Sequence, residues 1–231
     1  MPKNPPILQI FFWILIPGVL WLSLFCLRPV FVHPWCAVQP TPCTASSINA
    51  LDQVGLVYHS IFADFLSNLV QNFVGMLVIT VPFLLIKNRK QVFQIEYALV
   101  LGTLWNGVLL EATRTLVQRP RPLVIGSPMI EGAQIYQYTS FYSGHTSFVA
   151  FATLFLVLCL YSEFGFSHLY TKLSSFGFAF FTILTALLRI WGGRHYPSDT
   201  LAGAFAGSLI ATLLWFLIFR LKIFRLNLIV F

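Results

Sequence analysis

Charge is scarce in this chain: Asp and Glu number 7 and Lys and Arg 14 among 231 residues. So few charges cannot solvate the surface of a soluble globular domain, and soluble enzymes and soluble binding modules are excluded as classes. Cysteine is also sparse, with 4 residues, which excludes a disulfide scaffold. No internal repeat, low-complexity tract or separate polar domain interrupts the chain. The first apolar run lacks a small-x-small cleavage site near Cys26 to Pro29, so it is expected to be retained as a helix. The net charge of +7 is spread over short segments between apolar runs, which excludes nucleic acid as the partner. No cluster of histidines and carboxylates has metal-ligand spacing. No metal or other cofactor is therefore expected, and nothing calls for an obligate protein partner.

Hydrocarbon is what the chain has in excess. Hydrophobic residues make up 58% and aromatics 16%, including 24 Phe, and the mean hydropathy is +0.81. Apolar runs fall at 7–27, 62–86, 93–116, 146–161, 173–188 and 200–219, each near the length that crosses a bilayer. The run at 146–161 is short and needs its flanking residues or some bilayer thinning. The pattern predicts an all-α membrane protein, a bundle of six transmembrane helices forming one domain over 1–231, with membrane lipids as its solvent.

Six spans place both termini on one side. With them lie Lys3, Lys87, Arg89, Lys90, Lys172, Arg220, Lys222 and Arg225, and opposite lie Arg28, Arg114, Arg119, Arg121, Arg189 and Arg194. Every lysine is on the side of the termini, which is therefore expected to be cytoplasmic. Cys26 and Cys159 fall in apolar runs and read as inert packing residues. Cys36 and Cys43 share a proline-containing polar loop, where they either pair, if the loop faces an oxidising compartment, or remain two loop thiols.

The side opposite the termini holds three segments unusual for a membrane protein: Arg114 to Pro122, Tyr142 to His145 and Arg189 to Asp199. Ionisable residues at membrane ends are costly unless paired or functional. Arg114 ends the third span, His145 opens the fourth, Arg189 ends the fifth and Asp199 opens the sixth, so a bundle brings all four to one face.

Arg114-x6-Arg121-Pro122, Ser143-Gly144-His145 and Arg189-x5-His195-x3-Asp199 together resemble the three-part signature of the type 2 phosphatidic acid phosphatase superfamily, in order and in separation. Three positions depart from it: Arg114 stands where lysine is usual, Tyr142 where proline precedes the serine, and Leu188 where serine precedes the arginine. The resemblance implies a six-helix bundle with its site at the membrane surface and a lipid phosphate as the substrate; the lysine distribution makes that surface the outer, periplasmic face. A bacterial inner membrane protein is the expected setting.

The groups themselves support the same chemistry. Phosphoryl transfer needs charge neutralisation on the equatorial oxygens, a nucleophile and a proton for the leaving oxygen. Arg114, Arg121 and Arg189 offer guanidinium forks matched to phosphate, three of which can stand in for metal ions. His195 is the expected nucleophile, oriented by Asp199 one helical turn on. His145 is the expected general acid, then the base that activates water against a phosphohistidine. Ser143 and Gly144 precede the fourth helix and are expected to bind phosphate, with helix amides facing it and Gly144 allowing close approach. The same residues also fit transfer of the phosphoryl group to another lipid, or a transporter that binds a headgroup without cleaving it.

Outside the motifs the expectations are bland. Arg28, Arg194 and Arg119 read as headgroup anchors, Arg119-Pro120 being out of register with Arg114. Glu111, one turn before Arg114, either pairs with it or snorkels to the interface. His33, His59 and His168 read as loop histidines, and Asp64, Glu96 and Glu163 carry no signal. The 28–60 loop is expected to shape headgroup access.

Overall fold

The helices begin at side chains suited to starting them. Ser60 Oγ accepts the Ala63 amide at 3.2 Å, Asn88 Oδ1 those of Lys90 and Gln91 at 3.1 and 3.4 Å, and His168 Nδ1 that of Tyr170 at 3.3 Å. Each satisfies amides that the first helical turn leaves free. The structure, a computed structural model, describes residues 7–38, 43–126 and 134–220. Its long helices are α1 (Ile7–Phe31), α2 (Ile61–Leu85), α3 (Arg89–Val117), α4 (Gly144–Phe164), α5 (Leu169–Trp191) and α6 (Pro197–Trp215). A π turn, Phe216–Arg220, continues α6.

Among the described residues, six helices are long and apolar enough to cross a membrane, and no strand occurs. The predicted all-α, six-span architecture is the one observed. The helices outrun their apolar windows where caps and polar ends extend them. α3 starts at Arg89 behind the Asn88 cap, and α4 gains the flanking turns its short apolar run needed, reaching 21 residues.

α4 is the axis of the bundle: 56% of its apolar window is buried, against 6% for α1. It packs on α2, α3, α5 and α6, and Val149, Phe151, Phe155 and Cys159 fill the core between them. The approach of α6 is close enough to exclude side chains. A Cβ on Gly207 would lie 2.1 Å from the Ser147 carbonyl oxygen, so only glycine permits this backbone contact. Outward faces remain apolar, with Ile61 86% and Leu116 83% exposed, as lipid contact requires. Cys159 packs in the core as expected, whereas Cys26 lies exposed on α1.

The α1–α2 connection is folded rather than open. It carries short helices at Trp35–Val38 and Ala50–Gln53 and 3₁₀ turns at Ala45–Ser47 and Val54–Leu56. Cys36 and Cys43 are joined in a disulfide, and both enter a second apolar cluster with Val32, Val124, Tyr138 and Tyr196. The Cys36 amide donates to Tyr138 Oη at 3.0 Å. That cluster fastens the connection onto the bundle end where the three motifs meet.

Candidate active site

Four helix ends form the site. Arg114 lies in the last turn of α3 and Arg189 in that of α5, while His145 is in the first turn of α4 and Asp199 in that of α6. Gln118, in the left-handed region at φ 46°, ends α3 and turns the chain so that Arg121 follows. A cavity of about 440 Å³ is walled by Arg28, Arg114, Arg121, Gly144, His145 and Arg189 on its polar side, with Trp21, Phe25, Leu110 and Phe148 beside them.

Each guanidinium is aimed by a partner. Glu111 is buried between two of them: Arg28 Nε donates to its Oε2 at 3.0 Å, and Arg114 Nη1 to its Oε1 at 3.2 Å. Arg189 Nη1 donates to Asp64 Oδ1 at 2.5 Å and to Ser67 Oγ at 3.1 Å, while Arg194 Nε donates to Asp64 Oδ2 at 3.0 Å. Arg121 Nη2 reaches Thr139 Oγ1 at 3.4 Å. The Nε atoms of Arg114, Arg121 and Arg189 are buried without a partner among the described residues. Desolvated donors of one sign call for an anion.

His195 sits fully buried in the turn between α5 and α6. Its Nδ1 lies 2.7 Å from the Ser140 carbonyl oxygen. A carbonyl only accepts, so Nδ1 carries the proton and Nε2 keeps its lone pair. That Nε2 is buried without a partner among the described residues. Burial, then the charges of Arg189, Arg121 and Arg114, hold the imidazole well below its ordinary pKa, so it stays neutral.

Asp199 does not orient His195 by the direct hydrogen bond expected of it. Its Oδ2 is 3.7 Å from Nδ1. The same oxygen instead accepts from Ser140 Oγ at 2.5 Å and from the Tyr196 amide at 3.0 Å. Orientation therefore runs through Ser140, whose hydroxyl is held by Asp199 and whose carbonyl holds His195. Ser143 also differs from expectation. Its buried hydroxyl caps α4, 3.5 Å from the Thr146 amide and 3.0 Å from Thr146 Oγ1, so it builds the helix that carries His145 and does not face the cavity. Gly144 does line it: a Cβ there would lie 2.7 Å from Leu110 Cδ2 and 3.3 Å from Arg114 Nη2. His145 Nε2 lies 2.6 Å from Asn68 Oδ1.

Arg119 is not a headgroup anchor. Its Nη1 donates to Asp199 Oδ1 and its Nη2 to Asp52 Oδ2, both at 2.6 Å, and its guanidinium lies 4.1 Å over the Tyr196 ring. Asp52 is fully buried and also accepts from the Ser198 amide (2.9 Å), Ser198 Oγ (2.7 Å) and Asn49 Nδ2 (2.8 Å). Burial raises its pKa, but these donors outweigh that and the carboxyl is held below its ordinary value. The 28–60 connection thus contributes a carboxylate to the site's framework. Arg28, Arg194, Glu111 and Asp64 are likewise paired within the framework; of these pairings the sequence offered one, Glu111 with Arg114.

Among the described residues, no group of three or more His, Cys, Asp or Glu is arranged to hold a metal ion. The PAP2 superfamily model matches residues 91–223, a stretch that contains all three motifs. No solved structure matches the chain.

Proposed function

The chain belongs to the PAP2 superfamily, whose membership supports a phosphatase-type activity on phosphate esters, and from that premise we propose that it hydrolyses a lipid phosphate through a phosphohistidine on His195. The observation that carries the mechanism is the buried, unprotonated Nε2 of His195, near enough to Arg189, Arg121 and Arg114 to feel their charges. These three arginines wall the cavity, which His195 itself does not line. The guanidiniums neutralise the equatorial oxygens, and they do so more strongly once the phosphate excludes water. Nε2 attacks phosphorus in line with the leaving oxygen, which takes a proton from His145. Water, deprotonated by His145, then attacks the phosphohistidine and releases phosphate. The three arginines supply the charge that metal ions supply in other phosphatases, so turnover is expected to persist in chelator.

A lipid substrate is supported by the shape of the cavity. Its lining runs along α3 from Arg114 back to Thr103, about 16 Å of helix at 1.5 Å per residue, and so passes from the helix ends into the apolar depth. Phosphatidate-like lipids, phosphatidylglycerol phosphate, polyprenyl diphosphate and lipid A phosphates all present a phosphate at the head of such a chain. The lysine distribution and the Cys36–Cys43 disulfide support a site on the outer face of a bacterial inner membrane, with both termini cytoplasmic.

The test is phosphate release by purified protein from a panel of lipid phosphates in detergent with EDTA throughout, and His195→Ala in parallel. Release that depends on His195, with acid-labile phosphate trapped on the native protein, is the expected result. Release unaffected by His195→Ala refutes the nucleophile. Phosphate transfer that occurs only with a second lipid present would replace hydrolysis by phosphotransfer.

A further inference from the structure

α2 carries a polar stripe where a lipid-facing helix is apolar. Asp64, Ser67, Asn68 and Gln71 recur at i, i+3, i+4 and i+7, one side of a helix. Polar groups within a membrane helix are retained where they face partners. Asp64 holds Arg189 and Arg194, Ser67 accepts from Arg189, and Gln71 lines the cavity. Asn68 reaches across to α4, its Oδ1 2.6 Å from His145 Nε2.

We propose that Asn68 is a positioning residue for His145: its amide oxygen accepts the Nε2 proton of the imidazolium and so turns Nδ1–H toward the leaving oxygen. This rests on the general-acid role of His145 proposed above. An imidazolium has two N–H donors. One must reach the leaving oxygen, and the other needs an acceptor inside the protein. The charged side chains that share the cavity wall with His145 are chiefly guanidiniums, Arg114, Arg121 and Arg189, which only donate. The one carboxylate on that wall among the described residues, Glu111, is engaged by Arg28 and Arg114. An amide oxygen meets the need without adding an anion that would compete with phosphate for the arginines.

The two steps then share one tautomer. In the first, the His195 Nε2 lone pair forms a bond to phosphorus and the bond from phosphorus to the leaving oxygen breaks with its electrons. That oxygen takes the His145 Nδ1 proton, leaving His145 neutral with Nε2–H still on Asn68. In the second, His145 Nδ1 takes a proton from water as the water oxygen bonds to phosphorus. The phosphorus–nitrogen bond breaks and its electrons return to His195 Nε2.

Leaving-group dependence separates positioning from a structural role. An alkoxide needs a proton to depart, whereas p-nitrophenolate departs largely without one. We would measure kcat/KM, which reports steps through leaving-group departure, for a long-chain alkyl phosphate and for p-nitrophenyl phosphate. The proteins are native, Asn68→Leu, Asn68→Asp and His145→Ala. Asn68→Leu is expected to lose roughly 10- to 100-fold more on the alkyl than on the aryl ester, within the range general acids contribute. Asn68→Asp, which keeps an acceptor oxygen, is expected to recover most of that difference. Equal losses on both esters, no loss on either, or no recovery in Asn68→Asp would overturn the inference. If His145→Ala discriminates between the esters and Asn68→Leu does not, the inference alone fails. If His145→Ala does not discriminate, the general-acid assignment fails and takes the inference with it.

Discussion

Replacing Arg119 by leucine tests whether the α1–α2 connection is part of the catalytic framework. The Arg119 side chain is 20% exposed, and both carboxylates it bridges, Asp52 and Asp199, are fully buried. Removing one partner of a buried ion pair leaves an uncompensated charge and destabilises by about 3–5 kcal/mol. Here each carboxylate keeps other donors, Ser198 and Asn49 on one, Ser140 and Tyr196 on the other. The loss should therefore sit near about 3 kcal/mol, the lower end of that range. For a chain of this size that is on the order of 10 °C in Tm. An interfacial anchor would move stability by under about 1 kcal/mol.

The assay is a melting curve of detergent-purified protein at a fixed scan rate, with kcat and KM measured below the transition. Arg119→Leu should melt far lower and lose kcat, because Asp199 holds Ser140 and Ser140 holds His195. KM should change little, since Arg114, Arg121 and Arg189 keep their own partners. In the double variant with Asp52→Asn, the second substitution should add less than its own effect by about 1–2 kcal/mol, because it removes a charge already stranded. A melting point within a few degrees of native, together with additive single effects, would refute the bridge.

Three further outcomes follow from the same geometry. Cys36→Ser opens an 8-residue loop, the two cysteines being 7 positions apart, and should cost about 2.5 kcal/mol by chain entropy; reductant should lower the Tm of native protein but leave the variant unchanged. Gly207→Val forces side-chain carbon into the Ser147 carbonyl 2.1 Å away, and should abolish recovery of folded protein, read by size exclusion in detergent. His195, buried neutral with its pKa held well below the ordinary value, binds fewer protons folded than unfolded. Stability should then fall as pH drops below about 6.5, with a slope of up to about 1.4 kcal/mol per pH unit that is absent in His195→Gln. An unchanged slope in that variant would show that another group sets it.

The motif residues were legible because phosphoryl transfer restricts both residue type and spacing. Arg114, Arg121, His145, Arg189, His195 and Asp199 lie at helix ends that six alternating spans bring to one end of the bundle. Of their partners, Glu111 beside Arg114 was legible from its one-turn spacing, and the distant ones were not. Asp64 pairs with Arg189 across 125 residues and Asp52 with Arg119 across 67, separations that carry no periodicity. Asp52 lies in a connection without a motif, and Arg119 sits out of register with Arg114, so spacing alone sent it to the surface. One signal was present. The chain has 7 acidic residues, and four of them, Asp52, Asp64, Glu111 and Asp199, meet arginines at this one end. Where acids are that rare and the solvent is lipid, an acid at the motif end of the bundle implies a buried partner.

The pairing also determines what charge the site can accept. Arg28 and Arg114 share Glu111, and Arg189 and Arg194 share Asp64, so each trio keeps one positive charge. Arg119 serves both Asp52 and Asp199, which leaves one negative charge there. Arg121 takes only a hydroxyl partner among the described residues and keeps its full charge. With both histidines neutral, the six guanidiniums and four carboxylates among the described residues leave two positive charges, the complement of a phosphate monoester dianion. The imidazolium of His145 adds the proton that the leaving oxygen takes. The distribution matters as much as the total. The negative excess lies at Asp52 and Asp199, and Asp199 holds Ser140, whose carbonyl accepts from His195 Nδ1. The positive excess is carried by Arg114, Arg121 and Arg189, which wall the cavity. Such a field attracts the phosphate and gains strength as charge spreads onto its equatorial oxygens, so the carboxylates that the motifs omit help to favour the transition state over the bound ester.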